Sequence, residues 1–193
     1  NTVVGDEAGT ALTTGDNNVA VGFEALETED ANGDNVAVGY QALKTLNAGQ
    51  DARNTAIGYT TGKALTTGVR HVLIGALAGE ALTEGDKNVA IGYSALKADT
   101  LGSRSVAIGH DALQAQNFTT ATDAYNVAVG DSAGLLVTTG VRNNLFGGNA
   151  GDALTEGNNN IAIGFQALTA DTLGSRNIAI GSDALEVQNL TTA

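Results

Sequence analysis

The side chains of this chain that could do chemistry are mostly carboxylates: 21 Asp and Glu stand against nine Lys and Arg, with two His and no Cys. Paired carboxylates cleave glycosidic bonds, so polysaccharide cleavage is the one enzymatic class that composition keeps in view. His71 and His110 fall at different positions of the repeat described below and form no metal ladder. The sequence contains no His-Glu-x-x-His, no nucleophile elbow and no Gly-Lys-Ser/Thr phosphate loop. Asp16-Asn17, Asp34-Asn35 and Asp86-Lys87 offer oxygen ligands in turns, yet neither a calcium nonapeptide nor an EF-hand loop is present. The expectation is a chain with no catalytic residue, no bound metal and no cofactor. A formal charge of −12 opposes binding to a nucleic-acid backbone or to anionic lipid, and no apolar run is long enough for membrane insertion.

What would position any site is a phrase, Asn-x-Ala-(Val/Ile)-Gly, that returns eleven times and ends on Gly5, Gly22, Gly39, Gly58, Gly75, Gly92, Gly109, Gly130, Gly147, Gly164 and Gly181. Eight of the ten intervals equal the step from Gly5 to Gly22, which is seventeen residues. The steps from Gly39 to Gly58 and from Gly109 to Gly130 are longer, by two and by four. Such a beat predicts an all-β parallel solenoid of eleven coils in which each coil stacks on the next. Residues 1–193 form one repeat domain, and the chain reads as a fragment of a longer fibre. Pro, Met and Trp are absent while Gly reaches 26, which suits a thin interior of small and branched side chains.

Within a coil the residues three and one before the glycine are mostly Val or Ile, as at Val19 and Val21, and the residue between them is mainly Ala. This is period two over a short strand. We expect the branched pair to face inward and the alanine row outward, with Val3, Leu73 and Leu145 enlarging an outer face that meets partners. A second apolar run follows, with Ala three residues after the glycine and then either Leu or Gly. The Leu-to-Gly exchange suggests that a coil changes how it turns.

Two groups of residues are candidate sites. Asn18, Asn35, Asn54, Asn88, Asn126, Asn160 and Asn177, with Gly22, Gly39, Gly58, Gly92, Gly130, Gly164 and Gly181, are expected to be structural: Asn bonding backbone in a ladder, Gly in strained or crowded turns. The second group lies where the regular beat lengthens, between Leu43 and Asn54 and between Leu113 and Asn126. Solenoid insertions emerge as loops on one face, so Gln50, Asp51, Gln116, Asn117, Phe118, Thr119, Asp123 and Tyr125 are candidate ligand contacts. Asn117-Phe118-Thr119 and Asn189-Leu190-Thr191 also match the glycosylation sequon, which chance plus duplication explains. The threonine pairs, such as Thr66-Thr67, raise ice binding, although most coils break the row. Arg70 and Arg142 correspond, but single arginines at turns read as solvated.

The Leu/Gly alternation has a period of four coils, the distance from Gly58 to Gly130 and again from Gly109 to Gly181. It relates residues 54–125 to 126–193 as a duplication. Leu113 to Thr120 likewise matches Leu185 to Thr192.

Asn18-Val19-Ala20-Val21-Gly22, Asn88-Val89-Ala90-Ile91-Gly92 and Asn54-Thr55-Ala56-Ile57-Gly58-Tyr59 resemble the head repeats of trimeric autotransporter adhesins and the repeats of phage tail fibres. The resemblance spans essentially the whole chain. It implies a left-handed parallel β-roll, a homotrimer, an extracellular, cell-surface or virion setting, and attachment to a host-surface glycan or extracellular matrix. The coils of this chain are longer than adhesin heads commonly use. A monomeric carbohydrate- or ice-binding solenoid and a polysaccharide-degrading solenoid enzyme are the alternatives.

Overall fold

The computed structural model describes residues 1–190. Each coil contributes one strand of three residues: β1 (Thr2–Val4), β2 (Val19–Val21), β3 (Val36–Val38), β4 (Thr55–Ile57), β5 (Val72–Ile74), β6 (Val89–Ile91), β8 (Val106–Ile108), β10 (Val127–Val129), β11 (Asn144–Phe146), β12 (Ile161–Ile163) and β13 (Ile178–Ile180). They stack in chain order into one parallel eleven-stranded sheet. Thr2 lies opposite Val19 and Val19 opposite Val36, so equivalent residues form columns along the whole solenoid. The short strands β7 (Gly102–Ser103) and β9 (Thr122–Asp123) pair on another wall, where the longer turn after Leu113 is tied back to the preceding coil. At the usual spacing of parallel strands, eleven coils make a rod roughly 50 Å long.

Period two holds, but the two faces are the reverse of the expectation. Ala20, Ala37, Ala56, Ala90, Ala107, Ala128 and Ala162 point inward and are 0% exposed, as are Leu73 and Leu145. The branched columns face out: Val19, Val21, Val36 and Val38 are half-buried, while Ile57, Val72 and Ile163 are exposed. Alternation defines two faces without saying which is inside. The opposite wall decides it, because Ala25-Leu26 and its equivalents also enter the core. With leucine arriving from that side, a side chain of alanine size fits on the strand.

The Leu and Gly coils turn in the same way, which corrects the second expectation. Leu26, Leu43, Leu96, Leu113, Leu168 and Leu185 have φ of 49 to 59°, and Gly9, Gly62, Gly79, Gly134 and Gly151 have φ of 53 to 61°. What changes is volume. Leu73 Cδ1 lies 2.8 Å from where a Cβ on Gly62 would be, and its Cδ2 lies 3.0 Å from the same point on Gly79. Leu145 fills the space over Gly134 and Gly151 in the same manner. One strand leucine therefore occupies the room that two absent turn leucines leave, and the interior stays close-packed.

The glycine that ends each strand is required twice over. From Gly5 to Gly164 this column has φ of 126 to 144°, and an added Cβ would lie 2.1 to 2.6 Å from the backbone carbonyl of the next coil.

Candidate functional site

The asparagine column is a hydrogen-bond ladder inside the wall. Asn18 Oδ1 accepts from the Asn35 amide at 3.0 Å, and Asn143 Oδ1 from the Asn160 amide at 3.0 Å. The Nδ2 groups donate to a backbone carbonyl fourteen residues on, as from Asn54 to Gly68 O, Asn88 to Gly102 O and Asn126 to Gly140 O. Asn35 instead donates to Gly33 O, and Asn177 to the Asp171 carboxylate. Buried backbone groups need such partners, so the column is occupied in holding coils together.

His71 takes an asparagine's place with both ring nitrogens. Its Nε2 donates to Gly85 O at 2.6 Å, and its Nδ1 accepts from the Asn88 amide at 3.2 Å. This arrangement fixes the neutral Nε2–H tautomer, and burial lowers its pKa from 6.5 to about 4. Ser105, the other exception, is too short to span the gap. Gln116 supplies the missing group, donating to Ser105 Oγ at 3.0 Å and to Asp99 Oδ2 at 2.6 Å while accepting from Asn126 Nδ2 at 2.8 Å. Asp99 also accepts from the amides of Gly102 and Phe118 at 3.1 Å each. Burial raises the pKa of Asp99, against the opposing effect of these donors.

The two long turns divide accordingly. Gln116 and Phe118, expected as ligand contacts, are buried; the Gln116 side chain completes this polar cluster, and Phe118 joins it through its backbone amide. Gln50, Asp51, Asn117, Thr119, Asp123 and Tyr125 are exposed. Asp51 accepts from the Gly33 amide, Asn117 from Thr100, and Asp123 pairs with Arg104 at 2.8 Å. The Tyr125 ring lies 5.6 Å from the same guanidinium. The sequon at Asn189 and the Leu185-to-Thr192 match include residues 191 and 192, which lie outside the described residues.

Three outer columns carry the remaining chemistry, and aligning the sequence on its glycines would have revealed all of them. Directly after the glycine, in successive coils, stand Phe23, Tyr40, Tyr59, Ala76, Tyr93 and His110. Phe23, Tyr40 and Tyr59 stack at 5.4 and 5.2 Å, and Tyr93 stacks on His110 at 5.3 Å. Ala76 interrupts the stack, and Tyr59 and Tyr93, which flank the gap, are 56% and 51% exposed against 37% for Phe23 and 41% for Tyr40.

The cations are confined to two columns. Lys44, Lys63 and Lys97 stand five residues after the glycine; Arg53, Arg70, Lys87, Arg104, Arg142 and Arg176 stand five before it. Lys44 neutralises a carboxylate group formed by Glu7, Glu24 and Glu27, pairing with Glu24 and with Glu27 at 3.3 Å. The pair holds the Glu24 carboxyl below its usual range. Between Arg142 and Arg176 lies an open cleft of about 440 Å³, lined also by Val141, Asn158, Asn159 and Ser175.

The solenoid matches no family model, no curated protein and no solved structure.

Proposed function

We propose that this chain is a rigid structural and adhesive segment of a homotrimeric fibre, outside the cell or on a virion. The observation that carries the reading is the outward branched face. Two columns made mostly of Val and Ile, interrupted by Thr2, Thr55 and Asn144 and carrying Phe146, run beside each other along eleven parallel strands, with Ile57, Val72, Ile163 and Ile180 among the exposed side chains. The stripe is roughly 50 Å long. Contiguous apolar surface of that size marks an interaction site. A second copy presenting the same straight columns is the simplest cover, since columns of equal pitch interlock along their full length.

The resemblance of the repeated phrase to adhesin and tail-fibre repeats supports the same reading. Adhesion to a host-surface glycan or matrix is assigned to residues outside this face, including Gln50, Asp51, Asn117 and Thr119 of the long turns. The reading assigns no catalysis. The aromatic column favours a monomeric sugar-binding solenoid as the second reading. Ice binding draws less support, because Thr66, Thr83, Thr138 and Thr155 spend their hydroxyls on carbonyls of the next coil.

Light scattering coupled to size exclusion tests the assembly. A trimer at micromolar concentration is expected, and Val38→Glu with Ile91→Glu should convert it to a folded monomer. A wild-type protein that stays monomeric removes the fibre reading and leaves the sugar-binding solenoid.

A further inference from the structure

The geometry points to the cleft between Arg142 and Arg176 as a binding site for an acidic sugar residue, one that carries a carboxylate or sulfate. This deepens the adhesive half of the function proposed above, on which it rests, by naming a place and a ligand class.

The duplication supplies the comparison. Four coils earlier the same wall carries Arg70, Lys87 and Arg104, with Asp86 and Ser103 beneath them. There Asp86 Oδ1 accepts from the Val69 amide at 2.9 Å, and the Asp86 amide donates to Ser103 Oγ at 2.9 Å. In the second block Asn158 Oδ1 accepts from the Val141 amide at 2.8 Å, and the Asn158 amide donates to Ser175 Oγ at 2.9 Å. The hydrogen-bond frame is the same in both blocks.

The chemistry above the frame differs. Asp86 has become Asn158, which removes the carboxylate, and Lys87 has become Asn159, which removes the central ammonium and shortens the side chain. Arg142 makes no ion pair among the described residues, and none of the six residues lining the cleft is acidic. The cleft therefore presents two guanidiniums from alternate coils, on either side of a short neutral side chain.

A guanidinium presents a planar fork of donors that matches a carboxylate or sulfate oxygen pair. Two of them facing one space concentrate positive potential in a molecule whose overall charge is −12. The Asn158 and Asn159 amides and the Ser175 hydroxyl add neutral groups suited to sugar hydroxyls. About 440 Å³ lies in the range of small-ligand sites and accommodates one sugar ring with its substituents.

Calorimetry and NMR titration of the full chain with a tetragalacturonate, its methyl ester, a sulfated tetrasaccharide and inorganic sulfate test the assignment. Binding of at least one acidic oligosaccharide is expected, with loss on esterification of the uronate. Arg142→Gln and Arg176→Gln should each weaken it on the order of tenfold. The double variant Asn158→Asp/Asn159→Lys, which restores the first block's own residues on its own frame, should weaken it at least as much. Arg70→Gln on the same column should leave it unchanged.

No binding of either oligosaccharide at millimolar concentration overturns the inference, as does equal weakening by Arg70→Gln. Inorganic sulfate binding as tightly as the sugars overturns the sugar assignment. Light scattering on the same samples separates the two readings: a trimer that ignores acidic sugars sinks this site alone, and a monomer that binds them sinks the trimer alone.

Discussion

Replacing His71 by asparagine, the residue its ladder uses elsewhere, should remove a defined pH dependence from the stability of the solenoid. Both ring nitrogens are committed, Nε2 as donor to Gly85 O and Nδ1 as acceptor from the Asn88 amide. A proton on Nδ1 would set two donors against each other in a site that is 1% exposed. The folded state accordingly holds the ring neutral down to about pH 4, whereas the unfolded chain protonates near 6.5. Above pH 6.5 both states are neutral and the contribution is complete. As the pH falls from 6.5 to 4 the unfolded chain binds a proton that the folded chain refuses, so stability is lost. Below pH 4 both states are protonated and the loss stops growing. At about 1.36 kcal/mol per pH unit the full loss is about 3 kcal/mol, of which about 2 kcal/mol falls between pH 7 and pH 5.

Urea titrations of the wild-type protein and His71→Asn at pH 7, 6, 5 and 4 measure it. Carboxylates titrate over part of the same range in both proteins, so the difference between them isolates the histidine. The wild-type protein should lose about 3 kcal/mol more than the variant over this range. Parallel stability curves, or a histidine signal titrating near 6.5 in the NMR spectrum of the folded protein after His110 has been assigned, would refute the reasoning.

Leu73→Ala empties the space shared with Gly62 and Gly79 and should cost about 3–5 kcal/mol in urea unfolding, with part of the loss restored by adding Gly79→Leu. A null effect would mean that the volume exchange is not what packs these coils. Ala76→Tyr should join the two aromatic stacks and raise stability by about 0.5–1.5 kcal/mol for each new ring pair, with a change in near-ultraviolet circular dichroism. A lower melting temperature would count against a ring-sized gap. Gly92→Ala, whose new Cβ would meet the Gly109 carbonyl at 2.3 Å, should destabilise the fold far more than Gly49→Ala, where nothing lies within 4 Å and only the left-handed backbone costs about 1 kcal/mol.

The coil length, the strands and the columns were legible because stacking forces equivalent residues into register, and the sequence repeats that register openly. The facing of the strand was not legible, since Val19-Ala20-Val21 alternates identically whichever side is buried. Only the leucines entering from the far wall decide it. The left-handed turns were half visible: Gly62 signals one, but Leu26 occupies the same conformation at φ of 53° with no local sign of it. Gln116 and Phe118 read as loop residues because their length of chain exceeds the beat. The burial of Gln116 follows from Ser105, eleven residues earlier, being too short for the ladder it interrupts. The arginine cleft went unread for another reason, because its information lies in the difference between two copies and not in either one.

The pairing of Leu73 with Gly62 and Gly79 also constrains how a gene for such a rod can change length. Unequal crossing-over between residues 54–125 and 126–193 adds or removes four coils, and every large side chain keeps its small neighbours. Loss of a single coil does not have that outcome. Deleting the coil that contains Gly62 would bring Leu43, whose Cδ2 already lies 3.0 Å from the Gly62 Cβ position, against Leu73. Recombinants should therefore survive in whole four-coil steps, the distance from Gly58 to Gly130, and the core acts as a reading frame for the length of the solenoid.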